Sequence, residues 1–343
     1  MNSIEGKRER LLKVSLFLAF MAVFAYSLGS FTGAFRVLQW SLDWKLALYA
    51  TTSYLLSQLM WMDAWAVFLK HHAKNAGLWG LVKIGWASVC GSVTPLQLGS
   101  DALRVYYAKK FYGIRASTTL SAALFTKGLK FALVAVMSAG VLWWLSSSTA
   151  LDQAHYAVLL SGFAALSVIA FAFTAALSSR VSRLFQSLLG GAERIGVPRA
   201  GWLAGFFEKY YEVFKSTPNS VKAAAVFLVM ASTALEFVAV VYSFESVGIR
   251  LGWDRFFVLF AVFQVLERVP FSPRGVGFVE FAAYLTFSAD FFAQQQVFTL
   301  GVLGAALVVF SFVRVIIPTT FSLVFGELAL SKMKATGLGR LSN

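Results

Sequence analysis

The chain has 343 residues, of which 58% are hydrophobic and 13% charged, and its net charge is +14. Apolar runs of the roughly 20 residues that cross a hydrocarbon core recur along it, which excludes a water-soluble protein and predicts a polytopic membrane protein. The positive-inside rule and an anionic leaflet explain the basic excess of such a chain, so we expect no nucleic-acid partner.

Six segments are long and apolar enough to be full membrane spans. In chain order they are 11–31, 45–69, 117–145, 154–177, 219–244 and 297–328. The first follows a basic N-terminus, but its apolar run is too long for a signal peptide and has no clear cleavage site, which favours a retained helix. The predicted fold class is all-α: one polytopic membrane helical bundle comprising residues 1–343.

Two further apolar segments, 79–103 and 255–290, are each interrupted by proline and glycine. The interrupting residues are Pro95 and Gly99 in the first segment, and Pro270, Pro273, Gly275 and Gly277 in the second. Pro95 and Pro270 lie 175 positions apart, and the spans around them follow the same offset. Broken helices at matching places in two halves indicate a transporter binding site, and non-helical backbone at membrane depth survives only inside protein or beside a water-filled cavity. We therefore expect two re-entrant helical hairpins around a polar cavity.

The basic residues are distributed unequally between the two sides of the membrane if both termini are cytoplasmic and both broken segments are re-entrant. The cytoplasmic side then receives 21 Lys and Arg residues and the other side four, which is the asymmetry that sets orientation. The hairpins enter from opposite sides, so 45–145 and 219–328 are predicted to form an inverted repeat. In the cytoplasmic loop 178–218 between them, aromatic residues at four-residue spacing predict an interfacial amphipathic helix over 199–215, with partner docking as the alternative role.

Several ionisable residues are predicted to lie within the membrane. The cations are Lys127, Lys130, Arg268, Arg274 and Arg314; the acids are Asp63, Glu236, Glu267 and Glu280, with Asp101 and Arg104 near the inner rim. Each cation costs roughly 2.5–3.5 kcal/mol at mid-helix unless it is paired or hydrated. Pairing leaves at least one positive charge over, which an anionic headgroup would balance, and the arginine fork suits phosphate. Snorkelling of Lys127 and Lys130, and a local Glu267–Arg268 ion pair, stay open as structural alternatives.

Motifs for catalysis, metals and cofactors are incomplete. His71 and His72 are adjacent in a basic segment and His155 is predicted to lie on the opposite side of the membrane. Cys90 is the only cysteine, and Gly275-Val276-Gly277 does not follow a strand. We therefore expect no metal, no cofactor and no enzymatic activity.

The two broken segments resemble the signatures of a known family. Pro95…Gly99-Ser100-Asp101…Arg104 is similar to its first signature, the stretch from Pro270 to Glu280 to its second, and Arg314 matches an arginine in its last long helix. The family is the membrane region of lysylphosphatidylglycerol synthase-type proteins, also called flippase-like domain proteins. The resemblance implies translocation of aminoacylated phospholipids or, in stand-alone relatives, of polyprenyl-phosphate-linked sugars or other lipids. Because the chain ends at Asn343, we expect no soluble synthase domain.

Lys127, Lys130 and Arg274 depart from the family pattern, and the charge they add favours an anionic headgroup over an aminoacylated one. The sequence thus predicts a flippase for an anionic, phosphate-bearing lipid. Because no nucleotide motif is present, any energy must come from gradients or from the concentration difference of the lipid itself. The predicted substrate-binding residues are Arg104, Lys127, Lys130, Arg268, Arg274 and Arg314. The predicted counter-charges are Asp101, Glu236, Glu267 and Glu280. Two alternatives are a membrane-embedded glycosyl- or phosphotransferase and a non-catalytic partner of a separate lipid-modifying enzyme.

Overall fold

The computed structural model describes residues 33–73, 75–93, 98–147, 178–195, 200–267, 279–280 and 300–335, with ten isolated positions between 15 and 171. All regular secondary structure in these residues is helical. The helices are α1 (Ala34–Ser41), α2 (Trp44–His72), α3 (Leu78–Ser88), α4 (Leu98–Tyr112), α5 (Ala116–Ser147), α6 (Ser179–Arg194), α7 (Ala200–Ser216), α8 (Asn219–Glu245), α9 (Trp253–Leu266), α10 (Leu300–Ser311) and α11 (Ile317–Ala335). A 3₁₀ turn, Val89–Val93, continues α3, and a π-helical turn, Phe312–Ile316, joins α10 to α11.

The described helices include three that are long and apolar enough to cross a membrane. They cover 116–144, 219–245 and 301–333, at three of the predicted spans. Helix α2, at the predicted span 45–69, has 29 residues and is therefore about 43 Å long. The all-α membrane fold is confirmed. The predicted spans 11–31 and 154–177 lie almost wholly outside the described residues.

Helices α2 and α8 form an antiparallel pair at the centre of the bundle. Three contacts fix the pairing: Ser57 Oγ to Ser232 Oγ at 3.1 Å, Asp43 N to Ser246 O at 2.7 Å, and His72 Nε2 to Thr217 Oγ1 at 2.8 Å. The end of α2 and the start of α8 therefore lie on one side of the protein. Ser57 and Ser232, which meet midway along the helices, are themselves 175 positions apart.

The same offset relates further helices of the two halves. Helices α2 and α8 begin 175 positions apart, as do α3 and α9. Helix α1, which the sequence did not predict, corresponds by this offset to the end of α7. Moreover, α1 packs against α10 while α7 packs against α5. The two helices that they contact, α10 and α5, are also at equivalent positions in the two halves. The inverted repeat over 45–145 and 219–328 stays a prediction, which these equivalences support.

The first broken segment forms a helical hairpin of α3 and α4. A Cβ atom on Gly91 would lie 2.6 Å from the carbonyl carbon and oxygen of Gly99, so the two arms approach as closely as only glycine allows. Gly80, near the start of α3, lies against Tyr112 at the end of α4. Helix α3 has 11 residues and the 3₁₀ turn that continues it has five, so this arm is about 27 Å long, slightly short of a core of about 30 Å. The contact between Gly80 and Tyr112 means that the chain leaves the hairpin beside the point where it enters. That this segment is re-entrant in the membrane stays a prediction, and Pro95 lies outside the described residues.

Helix α11 contacts the end of α3 and the 3₁₀ turn that follows it. Ser322 Oγ donates to Trp86 O at 2.6 Å and accepts from Cys90 N at 2.9 Å. A Cβ on Gly326 would lie 2.7 Å from Ala87 Cα, so α11 touches the backbone of α3. Cys90 N–H, which has left the regular α-helical pattern, is therefore satisfied by a side chain of the other half.

The connecting segment forms a second hairpin, α6 and α7. Helix α7 covers the predicted amphipathic segment, with Glu208 and Glu212 exposed. Its aromatic side faces the protein: Tyr210 is 2% exposed, and the Phe214 and Phe125 rings lie 5.6 Å apart. The sequence predicted lipid contact for this side, because periodicity cannot distinguish a lipid surface from another helix. Helix α6 was not predicted.

Candidate functional site

Eight of the ionisable residues predicted to serve substrate binding or charge balance lie in the described part of the chain, where they form three buried clusters. The α4 cluster contains Asp101, Arg104 and Lys127. The central cluster contains Lys130 and Glu236, joined by Gln264. The Arg314 cluster contains Glu267, Glu280 and Arg314, joined by Ser311.

The α4 cluster lies directly after the first break. Asp101, in the first turn of α4, forms an ion pair with Lys127 of α5 and faces Arg104 Nη1 at 3.6 Å. A carboxylate in this turn is also favoured by the helix dipole. Arg104 is buried: its Nε donates to Ser88 Oγ at 3.2 Å, and its guanidinium carbon lies 5.4 Å from the centre of the Trp65 ring. With two cations and one acid, the cluster has a formal charge of +1.

The central cluster lies one turn further along α5. Lys130 Nζ is 2.5 Å from Glu236 Oε1 of α8 and 5.0 Å from the centre of the Trp61 ring. Gln264 of α9 donates to Glu236 Oε2 at 3.1 Å. Both charged side chains are buried, so Lys130 is held by a carboxylate of the other half rather than reaching for the interface.

The Arg314 cluster is centred on the π-helical turn between α10 and α11. Arg314 is fully buried, and its Nη1 and Nη2 lie 3.1 Å from the Oε1 atoms of Glu267 and Glu280, respectively. Ser311 Oγ donates to Glu280 Oε1 at 2.6 Å. The guanidinium fork therefore bridges two carboxylates. π-Helical turns of this kind are frequent at functional sites.

The three clusters are adjacent to one another in the bundle, and together they are called the polar track. Lys127 and Lys130 are neighbours on one side of α5, and Gln264 and Glu267 are three positions apart at the end of α9, so each cluster adjoins the next. Among these described residues four acids match four cations, so the surplus positive charge expected from the sequence is not found here. Arg268 and Arg274, which would supply it, lie outside the described residues.

The structure brings together residues that the sequence had only placed at similar depth. Glu267 pairs with Arg314, while the predicted Glu267–Arg268 pair cannot be compared because Arg268 is not described. Asp63 lies half-buried in α2, outside the three clusters. The predicted break residues Pro270, Pro273, Gly275 and Gly277 likewise lie outside the described residues, whereas Gly99 packs against Gly91 in the first hairpin.

Sequence reasoning missed several neutral members of the track. Gln264 carried a usable signal, since it is a lone amide in an otherwise apolar stretch of α9. Nothing in the sequence distinguished Ser311 or Trp61 as members of the site, because serine and tryptophan are common in membrane helices. Within the described ranges, no three His, Cys, Asp or Glu side chains lie close enough to hold a metal ion. The arrangement is suited to exchanging ionic partners.

Comparison with known proteins gives one match. A family model described as lysylphosphatidylglycerol synthase TM region matches residues 10–322. This range contains both broken segments and the whole polar track. No curated protein and no solved structure matches the chain.

Proposed function

Because the chain belongs to the lysylphosphatidylglycerol synthase TM region family, we propose that it is a lipid flippase without enzymatic activity, moving an anionic lipid between membrane leaflets. A phospholipid or a polyprenyl-phosphate-linked lipid has the required headgroup charge. The headgroup crosses along the polar track while the tails stay in the bilayer.

The observation that carries this proposal is that the four cations of the polar track each pair with a carboxylate. Buried ion pairs are often no more stabilising than apolar residues of similar volume, and charges within a bilayer are rare and usually functional. Four such cations along one path are therefore better explained by function than by stability. An anionic headgroup competes with the carboxylates for the cations, so each ion pair opens as the lipid arrives and closes after it has passed.

The α4 cluster is the first binding position in this scheme. Its formal charge is +1, and Arg104 Nη1 lies 3.6 Å from Asp101 Oδ1 without a hydrogen bond to the described residues, so a phosphate oxygen can compete with the carboxylate for this donor. Lys127 is the more exposed partner of the Asp101 pair, at 12% of its side chain, and can turn towards the headgroup. Arg314 provides the corresponding fork in the second half.

The orientation proposed for the protein has both termini and the loop 178–218 in the cytoplasm. The first broken segment, 79–103, then opens to the cytoplasm and the second, 255–290, to the other side. The charge asymmetry of 21 to 4 supports this, as does the position of the α2 end and the α8 start on one side of the protein.

Mass spectrometry of lipids retained by the purified protein tests the substrate class. We expect an anionic lipid to be enriched over its share of the membrane, and Arg104→Gln to lower that enrichment. Lys109→Gln is the matched control, because Lys109 is an exposed cation on the same helix. Retention of zwitterionic or neutral lipid alone would contradict an anionic substrate, and a new covalent lipid product after incubation would contradict the non-enzymatic assignment.

A further inference from the structure

Helix α6 carries an uncovered apolar stripe. Leu184, Leu188 and Ile195 are 57%, 60% and 81% exposed, respectively. Leu184 and Leu188 are four residues apart and therefore lie on one side of the helix, and Ile195 directly follows its last residue. Ser182 is buried on the side that packs against α7. Two large exposed side chains on one side of this amphipathic helix, with a third directly after its end, indicate a surface that something else covers.

Basic residues flank this stripe at both ends. Arg180 and Arg183 lie in the first turns of α6 and Arg194 in its last, and all three are exposed. The single acid of the helix, Glu193, lies against Gly201 of α7. The exposed side is therefore positive as well as apolar, the combination that favours an anionic lipid surface.

The neighbours of α6 place it beside the end of the bundle where α2 ends and α8 begins. The end of α7 is bound to the end of α2: His71 Nε2 lies 3.2 Å from Ser216 O, and His72 Nε2 lies 2.8 Å from Thr217 Oγ1. Helix α8 begins three residues after the end of α7. Since α6 packs against α7, it lies beside this end of the bundle.

We propose that α6 lies in the membrane–water interface, with its leucine–isoleucine stripe at the acyl-chain boundary and its arginines bound to anionic headgroups. The sequence assigned this role to α7, whose aromatic side is occupied by α5. A stripe of three residues is narrow for a protein interface, which takes about 20–30 residues a side, whereas it fits the shallow insertion of an interfacial helix. None of these residues belongs to the polar track, so the inference holds whether or not the protein moves lipid.

Electron paramagnetic resonance on the full chain tests this position. A spin label is attached to Leu188→Cys in a Cys90→Ser background, and the protein is reconstituted into vesicles of phosphatidylcholine and phosphatidylglycerol. Glu212→Cys, on the exposed side of α7, is the matched reference. We expect the ratio of oxygen to nickel-chelate accessibility to be several-fold higher at position 188 than at position 212. Adding Arg180→Gln and Arg183→Gln, or omitting phosphatidylglycerol, should lower the ratio at 188 severalfold.

Three outcomes would overturn the inference. If position 188 is as accessible to the nickel chelate as position 212, the stripe faces water. If the label at 188 is shielded from both reagents, another protein surface or a second copy covers the helix. If the ratio at 188 is high but unchanged by phosphatidylglycerol and by the arginine substitutions, anionic headgroups are not what the helix binds.

Discussion

Removing Lys130 alone is expected to destabilise the protein more than neutralising Lys130 and Glu236 together. The two side chains are 7% and 5% exposed, and their charged atoms lie 2.5 Å apart, so Lys130→Met leaves a buried carboxylate without its lysine. Breaking a buried pair in this way costs about 3–5 kcal/mol, which corresponds to a fall in apparent Tm on the order of 5–10 °C. In Lys130→Met/Glu236→Gln neither charge remains and Gln264 keeps an acceptor, so we expect most of the lost stability to return.

Thermal unfolding in detergent, followed by tryptophan fluorescence, measures this difference. Lys109→Met serves as the control, because it removes an exposed lysine and should leave the Tm unchanged. The double variant should fold and yet fail to move lipid, which separates the transport role of the pair from its structural role. If the double variant loses as much stability as the two single variants added together, the residues are not energetically coupled and the reasoning from burial and distance is refuted.

Three further predictions concern the first hairpin. Gly91→Val should lower the Tm and abolish transport because its side chain meets Gly99 at 2.6 Å or less, whereas Gly140→Val, where a Cβ meets nothing within 4 Å, should do neither in the same assays. Ser322→Ala should remove the hydrogen bond that Ser322 Oγ accepts from the buried Cys90 N–H, at a cost of about 0.5–1.5 kcal/mol. Faster reaction of Cys90 with a membrane-permeant maleimide would report a loosened 3₁₀ turn, and an unchanged rate would argue against it. A cysteine at Lys109, in a Cys90→Ser background, should react with an impermeant thiol reagent only from the cytoplasmic side, and labelling from outside would rule out a re-entrant first hairpin.

The long helices could be predicted from the sequence because a helix that crosses the hydrocarbon core needs about 20 consecutive apolar residues, and such a run is visible in the local composition. The predicted span 117–145 corresponds to α5, and 219–244 to α8, with ends that differ by no more than two residues. The offset of 175 between Pro95 and Pro270 is likewise a property of the sequence, and it recurs in the Ser57–Ser232 contact. Helices α1 and α6 were not predicted because neither contains an apolar run long enough for a membrane span, so both were assigned to the loops between spans.

The ion pairs could not be predicted, since partner choice depends on packing between distant segments. Glu267 adjoins Arg268 in sequence, but it binds Arg314, 47 positions away. Lys130 binds Glu236, 106 positions away. The sequence indicated which charges lie within the membrane, while the depth and rotation of each helix decided which of them meet.

Movement of a headgroup-labelled fluorescent phosphatidylglycerol in vesicles containing the purified protein tests lipid translocation most directly. Dithionite added outside destroys only the label exposed in the outer leaflet, so fluorescence lost beyond that fraction reports lipid arriving from the inner leaflet. We predict such loss without ATP for the wild type, and loss restricted to the outer-leaflet fraction for Lys130→Met/Glu236→Gln. Loss that stops at the outer leaflet with the wild type, or that requires ATP, would contradict translocation of an anionic lipid along the polar track.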